Sequence, residues 1–146
     1  MTSEELYRKF ESIIVLGESN AWTLAVFEGS PSGNQYSWCS DCVAASEDLR
    51  AFLKEYHGPV KVFQFKVGSE NEWEGENGHE DPFKGRFPYL SDLPTAVLFH
   101  GRQDVARTIA PRKADLIYLS QRAEVLEGMI EEGTWKPPAR FSGSSN

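Results

Sequence analysis

The chain has 146 residues, 40% hydrophobic and 25% charged, proportions that suit one soluble domain around a single core. Its 15 Lys and Arg against 22 Asp and Glu leave a net charge of −7, which argues against a surface that tracks nucleic-acid phosphates. No apolar run approaches the roughly 20 residues needed to span a bilayer, so no membrane association is expected.

The first segment, MTSEELYRKFES, is acidic and amphipathic, unlike a secretory signal or a basic transit peptide, and a cytoplasmic location is expected. Thr2 and Glu5 fit a capping box, and Leu6, Phe10, Ile13 and Ile14 follow at helical spacing. WTLAVFEG, Trp22 to Gly29, reads as a buried strand. A loop holding Gly29, Ser30, Pro31, Ser32 and Gly33 leads to Trp38-Cys39-Ser40-Asp41-Cys42. Beyond Cys42 the pattern turns helical: Leu49, Phe52, Leu53 and Tyr56 share a face, and His57-Gly58-Pro59 stops the helix. Val60 to Gly68 is the second strand. The polar stretch SENEWEGENGHEDP reads as a loop, after which Asp81-Pro82 opens a short helix through Phe83 and Phe87. Leu93 to Gly101 is the third strand and Asp104 to Ala110 the fourth, separated only by Arg102 and Gln103 as in an antiparallel hairpin. The last helix runs from about Lys113 to Ile130 on a stripe of Leu116, Leu119, Ala123, Leu126 and Ile130. This order predicts an α/β fold, a mixed sheet with helices on its faces, over residues 1–132. Residues 133–146, rich in Gly, Pro and Ser, read as an irregular or disordered tail.

Cys39 and Cys42 are the only cysteines. A structural zinc site needs four ligands, and His57, His79 and His100 show no ligand spacing, so no metal is expected. A disulfide closing so short a loop would constrain the unfolded chain very little. Coincidental buried cysteines are disfavoured by the strand, glycine-containing loop and helix that surround the pair. Redox chemistry is the reading that remains. A helix N-terminus offers free N–H groups and a favourable dipole to a thiolate at Cys39. One turn on, Cys42 can expel a substrate from a mixed disulfide. No bound cofactor is expected beyond the redox-active Cys39–Cys42 pair itself.

W-C-x-x-C at the head of a helix, with a later strand opening on Leu93-Pro94-Thr95, resembles the thioredoxin fold. More closely, the chain is similar to the cytosolic thioredoxin-related family with the motif W-C-x-D-C, thioredoxin domain-containing protein seventeen. Phe27, Gly29-Ser30, the long loop to Ser37, Trp38 to Val43 and Val67-Gly68 carry the likeness. Trp73, Pro82-Phe83 and Leu93-Pro94-Thr95 extend it, over roughly Ala21 to Ile130. The resemblance implies a thioredoxin-like mixed sheet of four strands, or five if a short N-terminal strand is present.

It also implies that Cys39 is the nucleophile and Cys42 the resolving thiol. Pro94 would be a cis-proline beside them, leaving the Leu93 backbone free to pair with an extended substrate; a plain strand-opening proline is the alternative. Trp38 would pack against the motif and offer an apolar rim. Asp41 stands where ordinary thioredoxin has proline, and three readings stay open: a charge opposing thiolate formation, a helix cap, or a solvated helix-start acid. Ser40 replaces the proline usual in this family and loosens the loop. The buried acid of thioredoxins falls on Val26, and Glu28 is assigned to the opposite side of the strand. The implied activity is disulfide reduction with electrons from thioredoxin reductase; the long loop from Gly29 to Ser37, which abuts the motif, is expected to favour small or peptide disulfides, and a monomer is expected. Disulfide-containing proteins are further candidate partners. The alternatives are a redox sensor and a non-catalytic peptide-binding module.

Overall fold

Thr2 caps the first helix in the computed structural model, which describes residues 1–76 and 78–137. Its hydroxyl accepts the Glu5 N–H at 3.2 Å and the Glu5 carboxylate accepts the Thr2 N–H at 3.2 Å, which starts α1, Ser3–Phe10. A π-helical turn, Glu11–Val15, extends it, with the Leu16 N–H reaching the Glu11 carbonyl at 3.0 Å. Phe10 and Ile14 both point inward across this junction.

The four strands are β1 (Trp22–Glu28), β2 (Lys61–Lys66), β3 (Thr95–His100) and β4 (Gln103–Ile109). They form one mixed sheet in the order β2-β1-β3-β4, parallel between β1 and β2 and antiparallel elsewhere. The α/β, four-stranded expectation holds. The hairpin turn is Gly101-Arg102, one residue earlier than the sequence suggests, because Gln103 pairs with His100. Gly101 has φ +58° and lies so close to the Ser19 backbone that no Cβ fits.

Alternation along β1 sorts its side chains into two cores. Ala25 and Phe27 join Phe10, Ile14, Phe65, Phe83, Phe87, Val97 and Phe99 on one face. Leu24 and Val26 join Leu98 and residues of α2 (Ser40–Glu55) and α5 (Lys113–Glu132) on the other. Cys42, in the first turn of α2, belongs to the Phe10 cluster, although Leu49 and Phe52 further along α2 belong to the other.

The stretch read as a loop holds one more helix, α3, Glu70–Glu74. Ser69 and Glu72 form the same reciprocal cap as Thr2 and Glu5, which stabilises a single turn and lets Trp73 be buried. Glu72 also accepts the Ser3 N–H at 2.8 Å, tying α3 to α1. α5 runs two residues past Ile130 and ends at Gly133, which is left-handed with φ +77°. Of the expected tail, residues 138–146 lie outside the described residues.

The fourth helix, α4 (Pro82–Arg86), is capped by Asp81, whose Oδ1 accepts the Phe83 and Lys84 N–H groups at 2.9 and 3.3 Å. Burial pushes this carboxyl from 3.8 up to about 6. A carboxyl raised in the folded state stabilises the fold when protonated. Its contribution therefore falls as pH rises from 3.8 to about 6 and levels off above that. Asp81→Asn keeps the cap acceptor and is expected to flatten the pH dependence of urea unfolding across that window. An unchanged slope would show that the titration lies elsewhere.

Candidate active site

β1 ends at Glu28, and the chain must then turn past Trp38. Gly29 permits this: a Cβ there would lie 2.6 Å from the Trp38 ring and 2.8 Å from the Ser37 hydroxyl. The Trp38 indole N–H donates to the Gly68 carbonyl at 2.8 Å, just beyond β2. The same carbonyl accepts the Ser30 N–H at 3.1 Å, and the Ser30 carbonyl accepts the Trp38 N–H at 3.2 Å. The long loop is therefore pinned at both ends to the sheet. Gly29→Ala is expected to displace Trp38 and to cost about 1–3 kcal/mol through overpacking, measured by urea unfolding with tryptophan emission as the probe. A loss under about 0.5 kcal/mol with unchanged emission would show that the site absorbs the methyl group.

Cys39 is itself the N-cap of α2. Its sulfur accepts the Cys42 N–H at 3.2 Å, and its own N–H donates to the Ser37 hydroxyl at 3.0 Å. The positive end of the helix dipole favours negative charge at that position. The Cys39 S–H lies 3.5 Å from the Leu93 carbonyl oxygen, and the Leu93–Pro94 peptide is cis. Trp38, Cys39, Cys42, Leu93 and Pro94, taken from two separate stretches of sequence, thus converge on one point. The two thiols are free and differ sharply: Cys39 is half-buried, whereas Cys42 is 0% exposed. Burial, then the hydrogen bond with Cys39, pushes the Cys42 thiol up to about 12, with a Gly29 backbone hydrogen bond acting in the opposite direction.

Ser40 opens α2, and Asp41 follows it in the first turn, both exposed. Because the cap is the Cys39 sulfur, Asp41 does not cap the helix. It is a solvated acid at a helix start, where the dipole favours its charge.

The assignment of Glu28 needs correction. Glu28 is two residues from Val26, so strand alternation puts both on the same side, not opposite sides. Val26 is buried among apolar side chains, while Glu28, also buried at 1% exposure, gathers a polar cluster. Its carboxylate accepts the Tyr36 hydroxyl at 2.7 Å, the Gln64 amide at 3.2 Å and the Lys66 ammonium at 3.1 Å. Lys66 also sits 4.0 Å from the Tyr36 ring centroid. Burial, then the bond to Glu28, pushes the Tyr36 phenol above its ordinary range, and the Glu28 charge also helps to raise Cys42. The signal was present in the sequence: Glu28 in VFEG and Lys66 in QFKV each follow a phenylalanine in a β-rich run and carry opposite charges. Parallel pairing sets Glu28 beside Lys66.

One partly exposed cysteine at a helix cap and one fully buried in the next turn, beside a β2-β1-β3-β4 sheet, is the arrangement of a thioredoxin-type thiol–disulfide oxidoreductase. The family model for the thioredoxin domain of thioredoxin domain-containing protein 17-like proteins matches residues 3–117, and the chain belongs to that family. Among solved structures it is similar to thioredoxin O2 from Arabidopsis thaliana in the oxidised state. That match has TM-score 0.52 and 14% identity, covering 83% of this chain and 88% of that one. It is also similar to Fasciola hepatica thioredoxin, with TM-score 0.52 and 15% identity, covering 84% of this chain and 94% of that one. Comparison with curated protein sequences gives no significant match. No helix among the described residues is long and apolar enough to cross a membrane.

Proposed function

We propose that the protein is a cytoplasmic disulfide reductase that acts, as a monomer, on small or peptide disulfides. The observation that carries this reading is the asymmetry of the two sulfurs, Cys39 accessible at the helix cap and Cys42 fully buried. Cys39, as thiolate, attacks one substrate sulfur; the substrate S–S bond breaks, and one thiol leaves with a proton. Cys42 then gives up its proton and attacks the Cys39 sulfur, and the second substrate thiol is released. The substrate gains two electrons and two protons, and Cys39 and Cys42 become a disulfide. Leu93, with its carbonyl 3.5 Å from the Cys39 sulfur, supplies the backbone against which an extended substrate aligns. Trp38 supplies an apolar rim, while Ser40 and Asp41 tune the exposed approach. Thioredoxin reductase and NADPH return the electrons. A module that only bound peptides would need neither thiol.

The pinned loop over residues 29–37 narrows access, which favours small or flexible disulfides over large folded partners. NADPH consumption with thioredoxin reductase should show turnover of cystine and short disulfide peptides, with insulin reduced more slowly than by thioredoxin. Equal rates on insulin would remove the size restriction. No turnover on any disulfide would remove the reductase reading.

A further inference from the structure

We propose that a groove beside Trp38 is a specificity subsite for a large apolar side chain next to the substrate cysteine; this rests on the reductase reading and narrows its substrate class. The groove has a volume of about 380 Å³ and is lined by Gln35, Tyr36, Trp38, Ser40 and Val43. Its position ties it to the chemistry. Trp38 and Ser40 flank Cys39 in the chain, and Val43 follows Cys42, its N–H donating to the Cys39 carbonyl at 3.1 Å. Neither Leu93 nor Pro94 lines it, so it is separate from the backbone that would align an extended substrate. A residue adjacent to a cysteine bonded to Cys39 can therefore enter the groove while the chain lies along Leu93.

The lining defines the occupant. Two aromatic rings and an isopropyl group face it, no charged side chain does, and Val43 is 43% exposed although apolar. A charged neighbour would lose hydration there without gaining a partner. Phenylalanine, leucine or methionine would bury surface on both sides. The walls are also fixed in advance. The Tyr36 hydroxyl bonds Glu28 at 2.7 Å and Gln64 at 3.0 Å, and the Trp38 indole bonds the Gly68 carbonyl. Binding then orders little of the protein, which preserves affinity. Cystine and glutathione disulfide carry charged or polar groups near sulfur and gain nothing from this surface. Peptide disulfides with an apolar neighbour do.

The test uses the full chain and disulfide peptides that are identical except for Gly, Asp or Phe immediately before or after the cysteine. Phe is expected to raise kcat/KM about 10-fold over Gly in at least one position, mainly through KM, with Asp no better than Gly. Val43→Asp and Val43→Ser change an exposed position, so folding is not at risk, and both should reduce the Phe-to-Gly ratio toward unity. Equal kcat/KM for the three peptides, or a ratio unmoved by both variants, would overturn the subsite and leave the reductase reading intact. Failure to reduce any peptide, and cystine as well, would overturn both.

Discussion

A Cys42→Ser variant offered a disulfide peptide is expected to stop at one covalent adduct per chain, carrying half the peptide and released by dithiothreitol. Cys39 is the partly exposed one of the two cysteines, at the cap of α2, so it is expected to form the first new bond. Without Cys42 nothing beneath it can expel the adduct, and turnover should fall to the buffer background. Cys39→Ser should give no adduct at all. Its remaining thiol, Cys42, is 0% exposed and pushed up to about 12, so at neutral pH it is both covered and protonated. Intact-mass spectrometry under non-reducing conditions reads both results. An adduct forming equally fast in both variants would sink the assignment of roles.

The largest stability effect is expected at Phe10, whose ring is 0% exposed. Its centroid lies 5.2 Å from Phe65, 5.6 Å from Phe27 and Phe87, 5.9 Å from Phe83 and 6.0 Å from Phe99. Several of these pairs are edge-on, the geometry that adds attraction beyond buried area. Phe10→Ala would leave a cavity ringed by large, stiff side chains that cannot collapse into it. A loss of about 3–5 kcal/mol is expected in urea unfolding, a large part of a typical domain's stability. A loss below about 1.5 kcal/mol would show that the cluster relaxes around the gap.

Local chemistry was legible in the sequence. The strand, the loop and the helix after Cys39 follow from residue types within a few positions of one another, as does the cap at Thr2 and Glu5. The Ser69–Glu72 cap was equally readable, but a run of glutamates and glycines disguised the single turn it supports. What depends on distant pairing was harder to read. Glu28 and Lys66 meet only because β1 and β2 are parallel and in register, and Tyr36 joins them from an irregular loop. The helix-cap reading of Asp41 could be set aside only once the Cys39 sulfur was seen to occupy the cap.

The double use of the Gly68 carbonyl, by Ser30 and by Trp38, has an evolutionary side. It fixes the two ends of the loop independently of its tip, where residues 31–35 are exposed and the Gln35 N–H closes a turn on the Ser32 carbonyl. A Cβ added to Gly33 there would meet open space, its φ of +57° being the constraint that favours glycine. Insertions or deletions at Pro31 to Asn34 can therefore accumulate without shifting Cys39. The tip is a place where related chains can diverge in the partners they recognise while sharing one reaction, and where a foreign recognition sequence can be grafted.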